Sequence, residues 1–388
     1  MLREKFTPIC FLSSLGAGGL SVSFFMYLMF MIPHKGVPMT TFEFFYPAII
    51  KGDWLSFVSA FSAIAILVFA YFHFTLLVWN IKQFNLYKTT PAYTQMRSSN
   101  AEVTLMAIPL TLSMSINVCF VLGALFVPNL WSVVEYLFPL AIMGFGIAGY
   151  YALHLFIRYF SRLIINGDFD FTSNNNLSQM ISIFTFSMIA VGFAAPGAMS
   201  QHLSVNAIGI FAAIFFSMIA LLLLFIKLLF GFNTILKQGI SKEASPTLWI
   251  MIPILTLLGI TYIRISFGLD HHFDQKLASS SLFTFTSAIV SLQFIFGLIG
   301  YKVMKEIGYF EEFVESENRS PASFALICPG VALMVFGMFF IHFGLQANGV
   351  VEQNSVAYFV IMLPFILIQY KTVLYFFKLK KKFFLKHS

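Results

Sequence analysis

The sequence predicts an all-α integral membrane protein: ten transmembrane helices forming five tandem hairpins around a central pore, in a single domain over 1–388. Three observations predict it. Hydrophobic residues make up 59% of the chain and charged residues 10%, too little charge to keep a chain of this length in water. Ten apolar runs offer about the 20 residues that carry a helix across a bilayer. Lysine and arginine collect at alternate connections, the asymmetry of a polytopic chain. The 50 phenylalanines exceed what interfacial anchoring uses, so many must pack between helices or line a passage.

Span 1, residues 8–32, follows MLREKFTP and contains SSLGAGG. No small-residue cleavage site with a polar start follows, so it reads as a retained helix and not a signal peptide. Span 2, 54–80, is an unbroken Phe-, Leu- and Ile-rich run with His73 at mid-length. Span 3, 102–127, is led in by SSNAEVTLMAIP. Span 4, 131–160, carries Glu135 near its start, then Pro139, His154 and Arg158. Span 5, 178–199, has Pro196 late in its run, and span 6, 203–232, is again unbroken, with Lys227 near its end. Span 7, 247–267, is led in by SPTLWIMIP and carries Arg264 near its far end. Span 8, 277–303, is unbroken; span 9, 322–345, follows SPASFALICP and holds His342. Span 10, 355–378, contains Pro364 and Lys371, and a basic tail, 379–388, follows.

The connections VPNL, SQHLS and QANGVVEQNS carry no lysine or arginine. Of the 23 basic residues, 19 lie with the N-terminus, the connections after spans 2, 4, 6 and 8, and the C-terminal part. That bias puts both termini in the cytoplasm and requires an even number of spans. The abundance of Phe, Ile, Asn and Lys suits an AT-rich bacterial genome, and hence a bacterial inner membrane.

The net charge of +7 is spread over loops and the tail KLKKKFFLK, which suits anionic lipid and not nucleic acid. Cys10, Cys119 and Cys328 lie far apart and give neither a disulfide framework nor metal spacing. In GLDHHFDQK, Asp270, His271, His272 and Asp274 are too close in sequence to converge on one ion, so the stretch reads as an exposed polar loop. EIGYFEEFVESENR reads as a solvated, helix-like linker. No metal or cofactor is expected. A quinone-linked oxidoreductase subunit would bind haem through paired histidines, but nothing in the placement of His73, His154 and His342 marks a pair. His73 and His154 read as packed, neutral and hydrogen-bonded, and no enzyme activity is expected.

Pro109, Pro253 and Pro329 each follow a polar lead-in at the start of an odd span, and their separations, 144 and 76 residues, suggest a two-helix repeat. Broken backbone at membrane depth belongs where protein or a water-filled cavity surrounds it. The odd spans are therefore expected to be kinked and to form an inner ring, the even spans to face lipid.

Three stretches carry a resemblance: FLSSLGAGGL in span 1, PTLWIMIPILTLLG in span 7 and FALICPG in span 9. With ten spans and interrupted odd spans, the chain resembles the tellurite-resistance/dicarboxylate transporter family, which includes TehA-like proteins and the slow-type anion channels. The resemblance covers nearly the whole chain in helix layout, through short motifs. It implies cytoplasmic termini, odd helices around a central pore and a homotrimer. On that pattern Phe324 and Ala325 match the start of the span 9 motif and Pro329 its kink. The family's pore-plugging phenylalanine falls at Cys328, where a thiol is too small to occlude as a phenyl ring does. Another ring, Phe184 or Phe324 among them, then closes the pore, or the pore is less tightly closed.

The resemblance implies an anion channel or facilitator passing small inorganic or organic anions. A proton-coupled transporter of dicarboxylate, sulfite or tellurite is the alternative, disfavoured by the lack of an acid at mid-depth in the odd spans. A weakly polar lining offsets part of an anion's lost hydration. Candidate lining residues are Ser13, Ser14, Gly16 and Gly18 in span 1, with Pro109 and Ser113 in span 3. Span 5 offers Phe184, Ser187 and Pro196, span 7 Pro253 and Thr256, and span 9 Phe324, Cys328 and Pro329. For each, ordinary helix packing through small residues is an equal alternative. Arg264 either attracts anions at a pore mouth or pairs with Asp270 or Asp274.

Overall fold

The structure, a computed structural model, describes residues 3–167, 169, 178–273 and 276–384. Among the described residues, regular structure is entirely helical. Ten helices are long and apolar enough to cross a membrane. In order they are Pro8–Met31, Trp54–Tyr87, Asn100–Phe126, Leu130–Asn166, Ser178–Met199, Leu203–Gln238, Ser245–His272, Ser279–Glu306, Pro321–Asn348 and Val356–Phe384. All ten predicted spans are present. Two shorter helices, Phe42–Ile50 and Pro91–Arg97, lie in the connections after spans 1 and 2.

The even spans continue past their predicted ends on the side that holds both termini; span 10 runs to Phe384 and absorbs the start of the expected tail. Hydropathy stops at the first lysines and arginines, but these are good helix formers and the ladder of hydrogen bonds continues through them. Residues 385–388 lie outside the described residues.

The two sets of spans have different surroundings. In the most apolar stretch of each odd span 61 to 94% of residues are buried, against 22 to 44% for the even spans. Spans 1, 3, 5, 7 and 9 touch in a closed ring, 1 against 3, 3 against 5, 5 against 7, 7 against 9 and 9 back against 1. Each even span packs on the odd span before it. The five-hairpin arrangement with odd helices inside is thus realised.

Amides tie the two layers together. Asn80 of span 2 donates to Ser13 Oγ at 3.3 Å, and Asn206 of span 6 donates to Gly197 O and, at 3.2 Å, to Gly268 O. Gln293 of span 8 donates to Thr256 Oγ1 at 2.6 Å and to Ile252 O at 3.2 Å. Gln369 of span 10 donates to Ser23 Oγ at 2.8 Å and accepts from the Tyr27 hydroxyl at 2.6 Å. A buried amide without a partner is costly, so each bond fixes the rotation of an outer helix on an inner one.

The expected mid-membrane kinks take another form. Every odd span begins as a 3-10 helix and passes into α-helix. The 3-10 segments are Pro8–Cys10, Asn100–Met106, Ser178–Met180, Ser245–Ile250 and Pro321–Leu326. Pro109, Pro253 and Pro329 are each the third residue of the α-helical part, which starts at Ala107, Met251 and Ile327. The first four N–H groups of an α-helix lack intrahelical acceptors, and the third helical residue holds the last of them. Proline is therefore accommodated without a lost bond or a clash. Gly330, beside Pro329, serves close packing: Thr372 Oγ1 of span 10 occupies the place where a Cβ on Gly330 would stand.

The stretch expected to be a solvated linker is partly buried. A π-helical turn, Phe310–Glu315, follows Tyr309, which is fully buried and donates to Ser323 Oγ at 3.0 Å. Lys382 Nζ donates to Phe313 O at 2.8 Å. Its aromatic spacing, not its acidic residues, decides its burial. On the same side, Glu102 is 3% exposed and receives Arg97 at 2.9 Å and Arg162 at 3.0 Å, with Arg158 at 4.0 Å.

Candidate functional site

The inner ring encloses a cavity of about 780 Å³. All five odd spans contribute to its wall, joined by Phe138, Ala141 and Phe145 at the start of span 4. Toward the side holding the termini the wall begins at Leu15, Met114, Phe184, Pro253 and Cys328. Toward the opposite side it reaches Pro38 and Met39 in the connection after span 1, and Gln346 and Ala347 at the end of span 9. The cavity thus extends to one side of the bundle and stops short of the other.

Its surface is mostly apolar, with nine phenylalanines and six methionines on the described wall. The polar side chains on it are Asn117, Thr256, Gln346, His34, His342 and Arg264, and among the described lining residues only Arg264 bears a permanent charge. Arg264 Nη1 donates to Val191 O at 2.9 Å. Among the described residues no carboxylate pairs with it; Asp270 instead accepts from Leu277 N at 3.2 Å. Asp274, the other partner considered, lies outside the described residues. A guanidinium offers five N–H donors and cannot be neutralised, so most of this cation's bonding capacity is unspent.

His342 owes its place to an irregularity. Span 9 passes from α-helix into a π-helical turn, Phe340–Leu345, and π turns are rare and often functional. Its Nδ1 lies 2.8 Å from Met338 O, and its Nε2 lies 3.1 Å from the Tyr358 hydroxyl. A carbonyl can only accept, so Nδ1 donates to Met338 O, while Nε2 pairs with the Tyr358 hydroxyl. The ring is held at both nitrogens and stacked on Phe30, with centroids 4.4 Å apart. His73, at the junction of spans 1, 2 and 3, is also fully engaged: Nδ1 lies 2.8 Å from Ser14 O and Nε2 2.8 Å from Ser115 Oγ. It is packed and hydrogen-bonded, as the sequence suggests. His154 instead lies exposed on the outer face of span 4, beside Tyr150. His271 and His272 lie side by side at the end of span 7, and His272 Nε2 lies 2.9 Å from Ser200 O.

Of the lining residues expected from sequence, Gly16, Phe184, Pro196, Pro253, Thr256, Cys328 and Arg264 stand on the cavity wall. Ser13, Ser14, Gly18, Pro109, Ser113, Ser187, Phe324 and Pro329 do not. The hydroxyls are the instructive group. Ser13 donates to Cys10 O at 2.7 Å, Ser113 to Pro109 O at 2.9 Å and Ser187 to Ile183 O at 2.8 Å. Ser14 donates to His73 O at 2.8 Å. In an apolar medium a serine satisfies itself on a nearby carbonyl and needs no water. A Cβ on Gly18 would meet Met114 at 2.6 Å and His73 at 2.7 Å, so Gly18 serves close packing. Phe324 is buried against Phe383 and Phe384, with centroids 5.8 and 6.0 Å away, and is not a ring across the cavity.

Sequence reading missed Asn117, His342 and the methionines of the wall. Their helical facing was the available signal; for His342 the π turn shifts that facing and has no residue signature.

No family pattern, curated protein or solved structure matches this chain in comparison with known proteins.

Proposed function

We propose that this membrane protein passes anions through the inner ring of helices. Ten apolar spans fit a transporter or channel in general. The observation that carries the choice of anion is Arg264: a permanent cation on an apolar cavity wall, without a carboxylate partner among the described residues. Burying a charge in membrane is costly and marks a pathway or a partner, and arginines on a pore wall favour anions. The missing counter-charge is the permeating ion. The short stretches that resemble the tellurite-resistance/dicarboxylate transporter family support the same reading.

The test is flux in proteoliposomes with the full chain. Anion permeation over cation permeation, reduced in Arg264→Gln, is the expected result. Cation-selective flux, or flux indifferent to Arg264→Gln, overturns the reading.

The one-sided cavity favours a second reading, a carrier that opens alternately. Beyond Cys328 and Pro253 the wall closes toward the side of the termini. A carrier gives saturable uptake stimulated by anion on the far side; a channel gives uptake that rises linearly and shows no such stimulation.

A further inference from the structure

We infer that the cavity is shaped for an organic anion with a single carboxylate head and an apolar body. This rests on the anion reading above and goes beyond it by naming the class of ligand.

Size comes first. Cavities of about 300–1,000 Å³ enclose ligands of drug-like size, and this one measures about 780 Å³. A bare inorganic ion uses a small part of that space. Chemistry comes second. Away from Arg264 and a few polar side chains such as Asn117 and Thr256, the wall is formed by groups such as Phe25, Met26, Met29, Phe120, Met188 and Phe339. These offer an inorganic ion nothing in exchange for its hydration, but they accept an alkyl or aryl body, and methionine adapts to varied shapes. Charge comes third. Arg264 is the one permanent charge on the described wall. His342 has both ring nitrogens engaged, by Met338 O and the Tyr358 hydroxyl. One positive charge is matched by one negative charge, so a monoanion leaves no uncompensated charge in the apolar space. Geometry comes last. With Nη1 committed to Val191 O, the Nε and Nη2 donors remain for the two parallel bonds by which a guanidinium grips a carboxylate.

The experiment uses the full-length protein in lipid nanodiscs and equilibrium dialysis of radiolabelled 2-naphthoate, with empty nanodiscs subtracted. Competitors are acetate, hexanoate, decanoate, succinate, chloride, nitrate, sulfate and 2-naphthamide. Expected is saturable naphthoate binding, with straight-chain acids tightening about three- to fourfold per methylene. The neutral amide should compete at least about tenfold more weakly, as should succinate. Arg264→Gln should abolish the preference for acid over amide while Arg264→Lys, which keeps the charge, retains part of it. Affinity independent of chain length, or chloride, nitrate or sulfate competing as well as decanoate, overturns the inference. So does an amide equal to the acid, which shows the wall taking up any amphiphile. The two proposals fail separately. Arg264-dependent chloride or nitrate flux without naphthoate binding sinks this inference and leaves anion passage standing. Naphthoate binding with no anion flux does the reverse.

Discussion

Two charges inside this bundle, Glu102 and Arg264, sit under opposite conditions. Glu102, at the start of span 3, is surrounded by Arg97, Arg162 and, more loosely, Arg158. Arg264, in span 7, has one backbone carbonyl, Val191 O, and no carboxylate among the described residues. The first charge has its counter-charges built into the chain and locks the connection after span 2 against span 4. The second is left open toward a cavity. A charge that is fully answered within the chain is architecture; one left open on a cavity wall is an invitation to a ligand.

Substitutions separate the two. Glu102→Ala should have the largest effect, destabilising the fold by about 3–5 kcal/mol because Arg97 and Arg162 are left facing each other without their shared partner. Thermal unfolding in detergent measures it, and an unchanged midpoint breaks the comparison. Arg264→Gln should lower anion flux about tenfold, about 1.4 kcal/mol in affinity terms, while leaving the unfolding midpoint in place. A midpoint that falls as far as that of Glu102→Ala makes Arg264 structural after all. Cys328→Phe fills the closed end of the cavity without touching its charge. Flux should fall by less than in Arg264→Gln, with anion over cation selectivity retained; unchanged flux places Cys328 off the route. The smallest effect belongs to Ser14→Ala, which removes one buried hydroxyl from His73 at a cost of about 1 kcal/mol and should leave flux unaltered.

Much of this fold is written in composition and periodicity. Ten apolar runs and alternating basic connections give span number and pairing, because both follow from the solvent. The shared offset of Pro109, Pro253 and Pro329 in the odd spans correctly points to the inner ring, yet the same prolines do not break those helices. Their meaning depends on where α-helix starts, and 3-10 and α segments draw on the same residues. The site is less legible. Arg264 is visible in sequence because charge at depth is rare. The serines are not, because a hydroxyl that faces water and one that bonds its own turn look alike until the carbonyl is placed. His342 depends on a π turn, and its partner Tyr358 lies on the next span.

The proline junctions also fix bearings. A 3-10 helix turns about 120° per residue and rises about 2.0 Å, an α-helix about 100° and 1.5 Å. Each residue that crossed from one form to the other would screw everything beyond it by about 20° and draw it in by about 0.5 Å. In span 7 such a step would swing Arg264 around the axis of its own helix. Pro253 blocks it: already at the last place where a helix asks nothing of the N–H, it would enter the bonded interior if the α form grew backward by one residue. The ring acts as a pawl, and the compass heading of the one permanent charge on the described wall is set eleven residues upstream of it.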